Sequence, residues 1–180
     1  MKLKSKAVGF ILINLLGGLA VLGSYIHGFQ AHPETVGQTW GGVPEGLRPV
    51  YTVNMFLAAI GYFFFTPYLF VRITSGQSRI AGKYGMGLMN LFYGGVMLFS
   101  ALWMPMTFRM IENPNSLLWI GICAVLGLVG ISSLGILVSV IKLKPRTDGF
   151  LFYASMVGCV FFCIQTVLLD AIIWTWLYPL

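Results

Sequence analysis

Few residues in this chain are equipped for chemistry, and Asp170 leads them. It is the only carboxylate inside any of five long apolar stretches, and it follows Gln165 and Thr166 and precedes Trp174 in the last of these. An acid at that depth costs roughly 2.5–3.5 kcal/mol to insert, so it normally faces a bundle interior or a wet cavity and has a partner. The expectation is a functional site. The plainer alternative is an acid near enough to the outer interface to reach water. At α-helical spacing Thr166, Asp170 and Trp174 share one face. Two partners for the acid are conceivable from sequence: His27 as a proton partner and Arg109 as an ion pair.

The other reactive side chains form no recognisable machinery. His27 and His32 both fall at one end of the first apolar stretch, whereas a bis-histidine haem needs ligands from two helices or sides. Cys159 and Cys163 share a helix face, but no further ligands stand near them in sequence. Small buried side chains explain them and Cys123 better than a metal site does. The chain contains no H-E-x-x-H, no G-x-S-x-G, no paired carboxylates and no Cys–His arrangement, so an enzymatic role is not expected.

The elements that must position Asp170 follow from composition. The chain is 58% hydrophobic and 9% charged, with a mean hydropathy of +0.86. A soluble domain of this size would have to show much of that apolar surface to water. The apolar stretches run over about 7–29, 51–73, 84–107, 117–141 and 150–177, each long enough to cross the roughly 30 Å hydrocarbon core as a helix. Connections are short except for residues 30–50. The expected fold is all-α: residues 1–180 as a single domain, a polytopic bundle of five transmembrane helices in the lipid bilayer.

Charge gives an orientation. Lys2, Lys4 and Lys6 precede the first stretch; Arg72, Arg79 and Lys83 separate the second and third; Lys142, Lys144 and Arg146 separate the fourth and fifth. Only Arg48 and Arg109 fall on the other side. The positive-inside rule then predicts a cytoplasmic N-terminus and an outside C-terminus. The net charge of +6 is explained by helix ends at an anionic leaflet, and no basic cluster points to nucleic acid. The first stretch is longer than a signal-peptide core and lacks an A-x-A-like site, so it reads as an uncleaved span. A bacterial inner membrane suits this pattern.

Packing devices are visible too. Asn14, Gly17, Gly18 and Gly23 lie on the first span, Gly85, Gly87, Gly94 and Gly95 in the third, and Gly121, Ala124, Ser132 and Gly135 form a stripe on the fourth. Small residues let helices approach in lipid. Some of this surface could serve a homodimer, but five helices packing on one another can use all of it. Asn14 and Asn90 are assigned to structural hydrogen bonds, with each other or with backbone.

The half of the molecule away from the basic loops is richer in polar and aromatic groups. Tyr25, Tyr51, Asn54, Trp103, Gln165, Asp170 and Trp174 all come up there, beside a loop bearing Trp40, Gly41, Gly42, Pro44 and Pro49. An aromatic cavity with a few polar groups, lidded by a loop, is the usual form of a small-molecule site. Asp170, Trp103, Trp174, Asn54 and Tyr51 are the expected lining, with Trp40 from the loop. Tryptophan and tyrosine also gather at membrane interfaces whatever the function. Trp119, Trp176 and Tyr178 are read that way, and Trp103 and Trp174 fit either role.

Several short motifs carry a family resemblance. Pro49-Val50-Tyr51 and Gly61-Tyr62 stand in the second helix, Trp103-Met104-Pro105-Met106-Thr107-Phe108 closes the third, and Leu169-Asp170 precedes Trp174 in the fifth. With five spans and a long first loop, the chain resembles the translocator proteins, also called tryptophan-rich sensory proteins. It departs from their pattern in having one tryptophan in the first loop, Ser100 or Ala101 where an Asn is usual, and Asp170 in place of an Asn. The resemblance implies a pocket that binds, and in some settings transports, a hydrophobic small molecule of porphyrin, haem or sterol type. Two other readings stay open: a small proton-coupled transporter with Asp170 as the titrating group, and an assembly subunit of a larger membrane complex.

Overall fold

The computed structural model describes residues 5–75, 78–145 and 149–179; Lys2, Lys4 and Arg146 of the charge pattern lie outside the described residues. Five helices are long and apolar enough to cross a membrane, and the protein is an integral membrane protein. We label them α1 (Ser5–Ala31), α2 (Arg48–Ser75), α3 (Gly87–Glu112), α4 (Ser116–Ile141) and α5 (Phe150–Leu177). The expected spans are all present. The third is shifted: Tyr84–Gly85 pairs as a short strand, and the helix runs on through Pro105 to Glu112. Pro67 sits inside α2 in the same way. Membrane helices accommodate such prolines because neighbouring groups re-satisfy the freed backbone.

Spatial order differs from chain order. α1 packs on α3, α3 on α4, α4 on α5 and α5 on α2, while α1 and α2 touch only sparsely, so the ring reads α1–α2–α5–α4–α3. The glycines make the close seams. A β-carbon on Gly61 of α2 would stand 2.5 Å from the Gly158 Cα of α5, and one on Gly17 of α1 would stand 2.5 Å from the Met97 Cβ of α3. Gly95 abuts Ser132 and Gly135 abuts the Phe92 ring across the α3–α4 seam. This is the intramolecular use of small residues expected in lipid.

At one end, where the short basic loops lie, three two-residue strands form an antiparallel sheet in the order β2–β1–β3: β1 (Arg79–Ile80), β2 (Tyr84–Gly85) and β3 (Leu143–Lys144). The sheet ties the α2–α3 loop to the α4–α5 loop, with Arg79 opposite both Gly85 and Lys144. At the other end α3 and α4 are joined tightly: the Asn115 side chain accepts from the Leu117 and Leu118 amides and caps α4. The long first loop folds there into two 3-10 turns, Val36–Trp40 and Glu45–Leu47. It is anchored where Gly42 packs on the Leu177 backbone and where His32 Nδ1 lies 3.0 Å from Glu112 Oε1.

Near the sheet the bundle is dense. Phe10, Phe65, Leu69, Tyr93 and Phe152 are almost wholly buried in one cluster. The Phe10 and Tyr93 rings meet edge to face at 4.6 Å. Several polar groups in this half are paired locally, while Tyr68 Oη and Asn90 Oδ1 are buried without a hydrogen-bond partner among the described residues. Tyr62 donates to Asn14 Oδ1 across the α1–α2 seam, Asn14 donates to the Phe10 carbonyl, and Asn90 donates to the Lys6 carbonyl. Of the two alternatives for the asparagines, backbone bonding is the one realised.

Candidate functional site

Above this dense half, α1 and α2 diverge and a cavity of about 490 Å³ opens among α1, α2, α3, α5 and the first loop. That volume is in the usual range of small-molecule sites, about 300–1,000 Å³. Tyr62 and Phe162 are at its floor, near the place where α1 and α2 join; the loop residues Thr39 and Trp40 are at its roof. Between them the walls are aromatic: Tyr25 of α1, Tyr51 of α2, Trp103 of α3 and Trp174 of α5.

Asp170 lines the cavity, and its surroundings depend on an unusual stretch of backbone. Residues Ile164–Trp174 form a π-helix, with backbone bonds from i to i+5. Such geometry is rare, is mostly confined to single-turn bulges, and is frequent at functional sites. In an α-helix of 3.6 residues per turn, positions five apart point about 140° away from each other. The π-helix brings them onto one side, so Gln165 Nε2 donates to Asp170 Oδ1 at 2.9 Å. Gln165 is held in turn: its Oε1 accepts from Asn54 Nδ2 at 3.0 Å, and Asn54 also donates to the Phe161 carbonyl at 3.2 Å. The amide of Gln165 is thereby locked with its donor facing the acid.

That chain of bonds corrects the expected partners. Gln165 holds Asp170, and neither His27 nor Arg109 does. His27 is exposed and outside the cavity lining, and Arg109 lies 3.9 Å from Glu112 on its own helix. The acid's second oxygen, Oδ2, accepts no hydrogen bond among the described residues. Asn54 also stands elsewhere than expected. It is buried behind Gln165, supporting the site without lining the cavity. Thr166 lines the cavity, but its hydroxyl is spent on Ser133 at 2.6 Å and on the Phe162 carbonyl at 2.9 Å.

The roof and walls form one aromatic system. Trp174 is 3% exposed, and its Nε1 donates to the Thr39 carbonyl at 3.0 Å, pinning the loop. Trp103 meets Trp174 nearly perpendicular at 5.8 Å and Tyr25 at the same separation. Trp119 and Tyr178, expected at the interface alone, stack on each other at 4.7 Å and both pack on Trp174; Trp176 is 83% exposed, as an interfacial residue would be. Tyr51 donates to the Leu169 carbonyl at 2.7 Å and meets the Trp40 ring edge to face. The Trp103 Nε1 is buried and has no hydrogen-bond partner among the described residues.

Of the exposed members of the lining, Phe29 is on α1, Met55 and Ala59 are on α2, and Gly37 is in the first loop. The Trp174–Thr39 bond pins the loop over the cavity, and the exposed residues Phe29, Met55 and Ala59 mark the flank of the bundle between α1 and α2 as one place where the cavity reaches the surface. Among the described residues no group of His, Cys, Asp and Glu could hold a metal ion. The site offers one carboxyl group and apolar and aromatic walls. Such a set can bind and orient a molecule.

These features define a class: an integral membrane bundle of five helices enclosing a pocket at one end. Comparison of the chain with protein-family models, with curated proteins and with solved structures found no match.

Proposed function

We propose that the protein binds a hydrophobic small molecule in the cavity beneath the first loop, taking it from the bilayer through the α1–α2 seam. The observation that carries this reading is an aromatic-walled cavity of about 490 Å³ with a single acid fixed in its wall. A pocket of that size lined by apolar side chains, with a few placed polar groups, is the common form of a ligand site. Keeping an acid at that depth is costly enough to argue for a use. On the positive-inside orientation the pocket lies in the outer half, with the N-terminus in the cytoplasm.

The resemblance to translocator proteins supports the same reading. Of the residues that carry it, Tyr51, Tyr62, Trp103, Asp170 and Trp174 line this one cavity. Of the ligand types it implies, a sterol-like body suits the walls better than haem or a porphyrin acid. Neither histidine is in the lining, and no Lys or Arg among the described lining residues could meet a porphyrin's carboxylates. Transport would be a second step, measured as flux in proteoliposomes.

The test is a titration of the purified protein and of Asp170→Asn with a sterol and a porphyrin, followed by tryptophan quenching. Trp103 and Trp174 in the wall make the readout local. Saturable quenching by the sterol, weakened or altered in the variant, is the expected result. No saturable binding by a folded protein would sink the pocket reading and favour an assembly subunit.

A further inference from the structure

Resting on that pocket reading, we infer that the ligand is a lipophilic ammonium: a protonated amine, or a quaternary nitrogen, on a flat or elongated apolar body. The geometry behind this is the match between what the wall presents and what it lacks. Asp170 shows one oxygen already held by Gln165 and one with no protein partner among the described residues. Around it stand the rings of Tyr25, Tyr51, Trp103 and Trp174, whose electron-rich faces attract a cation within about 6 Å of the ring centre. No Lys, Arg or His is among the described lining residues. A carboxylate taken out of water is costly unless it is paired, and here the protein supplies one amide donor and no counter-charge. A cationic head placed between the free oxygen and the aromatic faces supplies it, while the apolar body fills the rest of the cavity toward Tyr62 and Phe162.

A carboxylate-bearing ligand would face Asp170 with like charge.

Ammonium groups of this kind come from free amphiphilic amines or from the headgroup of an ethanolamine or choline lipid. Three probes of one shape separate charge from fit: pyrenemethylamine, pyrenemethanol and pyrenecarboxylate, titrated into the full chain in a neutral maltoside micelle. Energy transfer from the tryptophans reports binding. The amine is expected to bind about tenfold or more tighter than the alcohol, with the acid weakest. Asp170→Asn should bring the affinity for the amine down to that for the alcohol. Equal binding of amine and alcohol by the unaltered protein overturns the inference without needing the variant, and leaves the pocket reading intact. A preference that survives in Asp170→Asn also overturns it. No saturable binding by any of the three, with thermal melting intact, counts against the pocket itself. Displacement of the amine by dihexanoyl phosphatidylethanolamine, and not by the glycerol analogue, assigns the site to a lipid headgroup; displacement by neither assigns it to a free amine. Either result upholds the ammonium class.

Discussion

The two halves of the bundle use the same five helices to opposite ends. In the half nearest the strands, Phe10, Phe65 and Tyr93 fill the centre and α1 and α2 are joined by Tyr62 and Asn14. In the other half the same two helices diverge around an open cavity, and α5 abandons α-helical geometry for eleven residues. The dense half fixes the angles at which the helices leave it, and the other half can then hold an open space without collapsing. Stability and site are thus largely carried by different residues, which mutations can separate.

The largest effect is expected at the α2–α5 crossing. Gly61→Leu would drive a side chain into the Gly158 backbone, which cannot give way as a flexible side chain can. A loss of about 3 kcal/mol or more, the upper end for overpacking, should appear as a sharp fall in thermal stability in detergent. Ser100→Phe asks the reverse question, because Ser100 is a half-buried residue of the cavity wall. Its stability should change by less than about 1 kcal/mol while sterol binding is lost. Equal damage to both properties would break the division between the halves.

Smaller changes sharpen it. Tyr62→Phe removes the bond to Asn14 that closes the α1–α2 seam. Interhelical bonds of this kind contribute about 0.6–1.7 kcal/mol, and the loss should be seen in the melting curve with ligand affinity little altered. Trp174→Phe keeps an aromatic ring, smaller than the indole, but loses the N–H that holds the Thr39 carbonyl. It should cost about 1 kcal/mol and appear as faster protease cleavage within residues 32–47.

The membrane helices were plain in the sequence because lipid demands about twenty apolar residues per crossing, and Phe150–Leu177 ended where its apolar run ended. The aromatic lining of the cavity was also legible: Tyr51, Trp103, Trp174 and Trp40 all border it. The partner of Asp170 was not, for a physical reason. Spacing arguments assume 3.6 residues per turn, and Gln165 and Asp170 meet only on a π-helix. No glycine or proline between Cys159 and Trp174 marks that change. His27 and Arg109 were attractive partners by charge alone. His27 faces outward, exposed, and Arg109 lies beside Glu112 on its own helix, facings that apolar periodicity does not encode when a helix is hydrophobic all round.

The order of the ring has a consequence for how the protein is made. Its helices emerge in the order one to five, but the main partner of α2 is α5, the last to be synthesised. α1, α3 and α4 can find one another early, while α2 waits in the membrane with its Gly61 surface uncovered. The Asp170-bearing wall arrives with the final helix. Until then Asn54 has neither Gln165 nor the Phe161 carbonyl to bond. Binding competence is therefore a late event in biogenesis, and a chain stopped after α4 should insert yet bind nothing.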